Sequence, residues 1–379
     1  MKTKFDFRPF INSLATKAFQ SNSTRGRRHF RVYDDKVGRE KLRVEDDDSA
    51  YFNVHDPFLM DRIKISFSKT WRRLADKTQV FVDHYENKHL RNRKIHTDEV
   101  AALGVQISSI LGLNTYLVEA SALGHDLGHS PFGHLGEKVI SEIAGQPFKH
   151  EIMSVVIAQQ IERGGRGLNL SFETLEGILH HSRGKNGLHV NANLPQEHNV
   201  VMLADKIAYT FSDLNDAVRC NYLSERNLPA EVAALGKNQR ERWLNCLYYL
   251  IKESSEKGFV SFADSDVAQK FELIRQWSYT NLYYKLNDEG PRQQAVTDLN
   301  SVHHFLSDWP GNQIYDPLLI MALLTDQEAK KIAKFAQYPT IKDIGMLKSM
   351  SFMEILSRIP PNRPINIFEP DLNPENFSQ

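Results

Sequence analysis

Cysteine is scarce. The chain has two in 379 residues, Cys220 and Cys246, with no Cys-x-x-Cys spacing. That excludes a disulfide framework and a cysteine-built metal site, and it makes a reducing cytoplasm the expected location. Long apolar runs are also lacking. The most apolar stretch, Pro317 to Leu324, is far too short to span a bilayer, so no membrane partner is expected. The segment from Met1 to Leu14 is charged and has no apolar core of a secretory signal. No Gly-x-x-x-x-Gly-Lys-Ser/Thr loop and no Gly-x-Ser-x-Gly elbow occur, which removes P-loop ATPases and serine hydrolases. Strand signals are few, so the expected fold class is all-α.

What is present is ordinary globular material. Apolar residues at 41% and charged residues at 25% can build a core, so gross disorder is not expected. The zero net charge hides an asymmetry. Through Lys94 there are 22 Lys and Arg against 13 Asp and Glu, and the remainder compensates. A basic N-terminal quarter points either to a polyanionic partner or to pairing with the chain's own acidic remainder. The basic run Arg25, Arg27, Arg28, Arg31 is the candidate site for single-stranded nucleic acid or an allosteric nucleotide. Helical spacing begins near Phe58 and continues at Val100, Leu103, Ile107, Ile110 and Leu111, ended by Gly112. Asn114 is the expected cap of the next helix. Further helices are expected at 134–144, 150–163, 171–181, 197–224, 230–257, 262–285, 316–336 and 341–357, with a short extended piece at Val80 to Val82. The expected organisation is a basic arm over 1–55, one domain over 56–300 and a helical extension with an irregular tail over 301–379.

Five of the fifteen histidines fall in a short reach: His96, His125, His129, His134 and His150. The pair His125-Asp126 sits at a predicted helix end, where neighbouring side chains can turn toward one point; mid-helix they diverge by about 100°. Imidazole nitrogen and carboxylate oxygen together suit Mn, Fe, Co, Ni or Zn. His96 opens the preceding long helix. Asp205 interrupts an apolar run and therefore points inward, which is expensive unless the carboxylate is paired or binds metal. A His2Asp2 set leaves positions open for water and substrate, the requirement of a catalytic site. His134 and Glu137 stand at i and i+3, and Asp205, Tyr209 and Asp213 at i, i+4 and i+8, so each group shares a helix face. The pairs His180-His181 and His303-His304 are isolated; the first is expected at a pocket rim and the second on the surface.

The ordered set Arg91-Asn-Arg-Lys-Ile-His96, His125-Asp-Leu-Gly-His-Ser-Pro-Phe-Gly-His134-Leu-Gly-Glu137 and Asp205-Lys-Ile-Ala-Tyr209 resembles the HD superfamily. Within it, the chain resembles the deoxynucleoside triphosphate triphosphohydrolases, the dGTPase group. Asp61-Arg62 and Trp71-Arg-Arg-Leu-Ala-Asp-Lys-Thr-Gln-Val80 are similar to that group's upstream segment. The chain departs from the group at Arg93-Lys-Ile-His-Thr-Asp98, where the group has Arg-Leu-Thr-His-Ser-Leu, so contacts flanking the histidine differ. No Gly-Tyr-Pro signature of the cyclic-dinucleotide phosphodiesterase branch is present. The resemblance implies an HD helical bundle with a divalent cation, Mn2+, Mg2+ or another transition metal, on His96, His125, Asp126 and Asp205. It implies His134 with Glu137 as the catalytic pair, His129 and His150 as further pocket histidines, Tyr209 and Asp213 against the sugar, and Arg93 on phosphate. Arg73 is the second candidate for phosphate, and Lys206 is either a phosphate ligand or a surface lysine. The implied reaction converts a deoxynucleoside triphosphate and water to deoxynucleoside and triphosphate in a homo-oligomer, a hexamer among the options. Two rivals remain open: an HD phosphohydrolase acting on a monophosphate, cyclic nucleotide or alarmone, and a nucleic-acid-binding or nucleotide-sensing module without turnover.

Overall fold

The chain is described by a computed structural model over residues 56–82, 87–182, 187–286, 290–336, 352–370 and 372. The expected arm over 1–55 and its arginine run lie outside the described residues. The first helix, α1 (Pro57–Ser66), begins where Asp56 accepts the Phe58 N–H and Pro57 takes a position whose N–H would be unpaired anyway. A short α2 (Lys69–Arg73) follows. The long α3 (Arg93–Leu111) is capped by Asn92, which accepts the Ile95 N–H, and is ended by Gly112 at φ 72°. Asn114 caps α4 (Thr115–Gly124) by accepting from Tyr116 and Leu117. Then come α5 (His134–Ala144), α6 (His150–Val156), α7 (Phe172–His180) and α8 (Gln196–Arg219). The C-terminal half adds α9 (Ala230–Leu235), α10 (Gln239–Lys257), α11 (Asp266–Ser278), α12 (Gly290–Asp308), α13 (Pro317–Leu323), α14 (Asp326–Ala336) and α15 (Phe352–Leu356). Among the described residues there is no strand, only an isolated antiparallel bridge between Thr78 and Asn92. Val80 to Val82 therefore runs unpaired. No described helix is long and apolar enough to cross a membrane.

Several expected helices are broken. The one over 150–163 gives way after α6 to a π turn, Ile157–Ile161, and then to left-handed Arg163 and Gly164. The one over 230–257 restarts at Asn238, which caps α10. The one over 262–285 passes into a π turn at Tyr279–Tyr283. The one over 316–336 is cut at Thr325, whose N–H meets Glu328 Oε2 at 2.8 Å in a new N-terminal cap. Helix α12 was not expected at all.

Helices α3, α4 and α8 form the centre of one apolar cluster, closed by α10 and α11. They approach closely because residue 104 is glycine; a Cβ there would lie 2.7 Å from Val118 Cγ1. Val200 to Leu203, Ile207 and Phe211 on α8 are fully buried, and each such large side chain contributes roughly 1.5–3 kcal/mol. A second cluster joins α5 to α12, α13, α14 and α15. The cleft described next draws Val80 from the first cluster and Phe132 and Leu135 from the second.

Candidate active site

Helix α4 stops at Gly124 and the chain turns through residues 125–128. His125 Nδ1 lies 2.6 Å from Ala122 O and donates to it, which leaves its Nε2 with a lone pair. That Nε2 is buried and has no hydrogen-bond partner. It faces Asp126 Oδ1 at 3.3 Å and Asp205 Oδ1 at 3.9 Å. His96 Nε2, from the first turn of α3, lies 3.0 Å from Asp205 Oδ1 and 4.0 Å from Asp126 Oδ2. Residues from α3, the 125–128 turn and α8 thus present two imidazoles and two carboxylates to one point. An orphaned buried lone pair amid such donors fits a divalent cation. Burial pushes the Asp126 carboxyl up, but His125, His129 and Arg93 outweigh it and hold it well below the usual carboxylate range. Asp205 is the four's route to solvent, with 17% of its side chain exposed.

Arg93 is buried beside this point. Its Nη1 meets Asp126 Oδ2 at 3.1 Å, its Nε donates to Thr78 O at 2.9 Å and its Nη2 to Gln79 O at 3.1 Å. Gly133 makes room for it: φ is 59°, and a Cβ there would lie 2.9 Å from Arg93 Nη2.

A second group lies alongside. Three imidazoles surround Glu137 Oε1 through Nδ1: His129 at 3.0 Å, His134 at 3.3 Å and His150 at 2.8 Å. His181 Nδ1 lies 2.7 Å from Ile178 O, so its Nε2 carries a lone pair. His150 Nε2 is 3.1 Å from that atom and must donate to it. Its Nδ1 lies 2.8 Å from the Glu137 carboxylate, which favours the protonated ring. Burial opposes its charge, but Glu137 prevails and pushes it up to about 9. His129 stacks on His150 at 3.9 Å and 12°. Burial first, then the Arg93 and His150 charges, hold His129 down to about 3. The shifts of the stacked pair run in opposite directions. Burial pushes Glu137 up, yet His150 and His134 keep its carboxyl well below the usual range. These residues are near enough to be grouped as cation ligands. Within the group the His129 and His150 rings are stacked rather than edge-on to each other. His134 is its solvent-facing member, 69% exposed. Gly128 lets α6 sit against the 125–128 turn: a Cβ there would be 2.2 Å from Ser154 N, and Ser154 Oγ bridges Gly128 N and His125 O.

Asp205, Lys206, Tyr209 and Asp213 line one side of a cleft of about 410 Å³ that also takes in Arg93, His96, Asp126, His129, His134 and His150. Asp213 accepts the Tyr283 hydroxyl at 2.7 Å, and burial pushes its carboxyl up to about 7. The Tyr209 hydroxyl pairs with buried Arg275, itself held by Glu272 at 2.8 and 2.9 Å. Arg73 stands apart from the cleft. Its guanidinium pairs with Glu328, at 2.9 and 2.5 Å, and with Leu323 O, and it is not among the residues lining the cleft, where the phosphate contact was expected. His181 lies deeper than the expected rim position, being buried against His125 and His150. Sequence reasoning missed Tyr279, Tyr283, Tyr284 and Arg292, all on the cleft wall. The π turn at Tyr279–Tyr283 inserts a residue and brings this tyrosine cluster onto one face. Only the aromatic run itself signalled it.

An HD domain family model matches residues 93–210, the span from Arg93 through α8 as far as Thr210. A deoxyguanosinetriphosphate triphosphohydrolase-like protein of Clostridium perfringens (strain SM101 / Type A) is 38% identical over 283 residues, covering 73% of this chain and 80% of the relative. Proteins with the same description from Clostridium tetani and Caldanaerobacter subterraneus subsp. tengcongensis are 36% and 35% identical, covering 66% and 68% of this chain and 71% and 74% of their own.

Proposed function

Because the chain belongs to the HD-domain family of deoxyguanosinetriphosphate triphosphohydrolase-like proteins, we propose that it hydrolyses deoxynucleoside triphosphates to deoxynucleoside and intact triphosphate. The observation that carries the reading is one cleft lined both by His96, Asp126 and Asp205 of the donor set and by His129, His134 and His150 around Glu137.

His96, His125, Asp126 and Asp205 would hold the divalent cation, Mn2+ or Mg2+. Such an ion, when bound, supplies Lewis-acid polarisation and acidifies water. The chain's own groups do the rest. The oxygen of water bonds to the α-phosphorus as the bond from phosphorus to the 5′-oxygen breaks, and the leaving oxygen takes a proton. His134 stands where solvent and cleft meet, with Glu137 at its Nδ1 to orient the ring; its Nε2 gives that proton to the 5′-oxygen and the ring regains one from the attacking water. His150, favoured in its protonated form, and the N–H groups of Arg93 not spent on Thr78, Gln79 and Asp126 face a polyanion with cation density. Lys206 adds a further positive charge at the cleft. His129 packs between Asp126, 3.1 Å from its Nε2, and Glu137, 3.0 Å from its Nδ1. Tyr209, tethered by Arg275, is the surface for the sugar, and Asp213 beside Tyr283 is the acceptor for its 3′-hydroxyl.

The test is incubation of the purified chain with each dNTP and NTP and Mn2+ or Mg2+, with chromatographic resolution of products. Equal amounts of deoxynucleoside and triphosphate are expected. Release of pyrophosphate, monophosphate or orthophosphate instead, or no turnover by protein shown to contain metal, overturns the reading.

A further inference from the structure

Asp326 is fully buried at the start of α14, 248 residues beyond Thr78 and 194 beyond Phe132. Its Oδ2 accepts the Thr78 N–H at 2.9 Å and the Thr78 hydroxyl at 2.5 Å, and its Oδ1 accepts the Phe132 N–H at 2.7 Å. Both partners belong to segments that carry cleft residues. Thr78 and Gln79 supply the carbonyls that hold the Arg93 guanidinium, which in turn holds Asp126. Phe132 lies two residues before His134 and has a left-handed φ of 63°, a conformation a bulky residue keeps only where its surroundings impose it. The start of α14 is itself locked, because Thr325 and Glu328 cap each other and Glu328 takes Arg73. Asp326 lies well outside the span matched by the HD family model.

We propose that Asp326 is a positioning residue for the cleft: its carboxylate sets, together, the turn that presents His134 and the carbonyl pair that aims Arg93. The proposal rests on the functional reading of those two residues given above. Asp326 touches neither substrate nor reacting atoms. It acts through backbone placement, where an error of about 1 Å costs on the order of 10²-fold in rate.

The experiment uses Asp326→Asn in the full chain. Asparagine keeps the size and one acceptor but turns an NH2 toward one of the two N–H groups, so it cannot serve both segments. Bound metal per chain stays as in the wild type and the melting midpoint moves by only a few degrees. The kcat for a dNTP falls about 10- to 100-fold while KM stays within about threefold. Hydrogen exchange quickens over residues 77–80 and 130–134 and is unchanged along α8. Thr78→Val, which removes the hydroxyl contact alone, gives a smaller loss of roughly three- to tenfold; it carries the test if the asparagine variant does not fold. A kcat within twofold of wild type, unchanged exchange in both segments, or a loss of protection spread through the whole chain in both variants overturns the proposal. If the wild-type chain turns over no nucleotide, the functional reading fails by itself, and the exchange pattern still decides whether Asp326 holds the two segments.

Discussion

At the scale of single residues, the site divides its labour by environment. His150 and His129 stack at 3.9 Å, yet Glu137 pushes the first up to about 9 against its burial, while burial, then the Arg93 and His150 charges, hold the second down to about 3. Substituting His134 by alanine removes the exposed imidazole without touching the donor quartet. We expect kcat to fall by about 10²–10⁴-fold with metal content unchanged, measured by product release and elemental analysis. Asp126→Ala should behave oppositely: bound metal is lost on dialysis where the wild type retains it, and activity goes with it. The quartet was legible in the sequence because each member is anomalous locally. Asp205 breaks an apolar run, and His125-Asp126 sits at a helix end before a proline. Arg73 was not legible, since its partner Glu328 lies 255 residues away and a solvated arginine looks the same in sequence. Asp326 hid for a related reason, as an aspartate at a helix start reads as nothing more than a favourable end charge.

At the scale of elements, caps and apolar spacing located most helices. Asn92, Asn114 and Asn238 each accept the N–H their position requires. The breaks were hidden because π turns arise from tertiary fit, which periodicity does not record. Helix α12 escaped because its buried positions, Ala295, Leu299, Val302 and Leu306, are separated by polar residues that dilute the stripe. The junction of α8 with α4 gives a prediction about pH. Glu197, in the first turn of α8, is fully buried; its Oε1 accepts the Asn114 N–H and its Oε2 has no partner. Burial pushes its carboxyl up to about 7 from a reference of 4.5. Between those values the folded chain holds a proton that the unfolded chain has released, so stability falls as pH rises through that window. Glu197→Gln should withstand more urea than the wild type at pH 8, by on the order of 2 kcal/mol, with the gain gone at pH 4.5. An equal gain at both pH values would assign the effect to packing.

At the scale of the whole molecule, distant parts of the chain close on one another. Arg358 meets Glu162 at 2.6 Å, both side chains at most 5% exposed, and Glu162 also takes the Thr70 hydroxyl of α2. Arg358→Met leaves that carboxylate buried without its cation, at a cost of about 3–5 kcal/mol in urea unfolding. Replacing Glu162 by leucine as well should recover much of the loss, because a buried ion pair is expensive to half-dismantle yet weakly stabilising when intact. This closure was the part least legible in the sequence, since such contacts leave no local trace. It also orders events during synthesis. The quartet of His96, His125, Asp126 and Asp205 is complete once Asp205 has emerged, but the carboxylate that accepts the Phe132 N–H is encoded 194 residues after that phenylalanine. At roughly 5–20 residues per second, a ribosome needs about 10–40 s to supply it. A nascent or prematurely terminated chain would thus gather those four side chains while the turn beneath His134 still lacked its distant carboxylate.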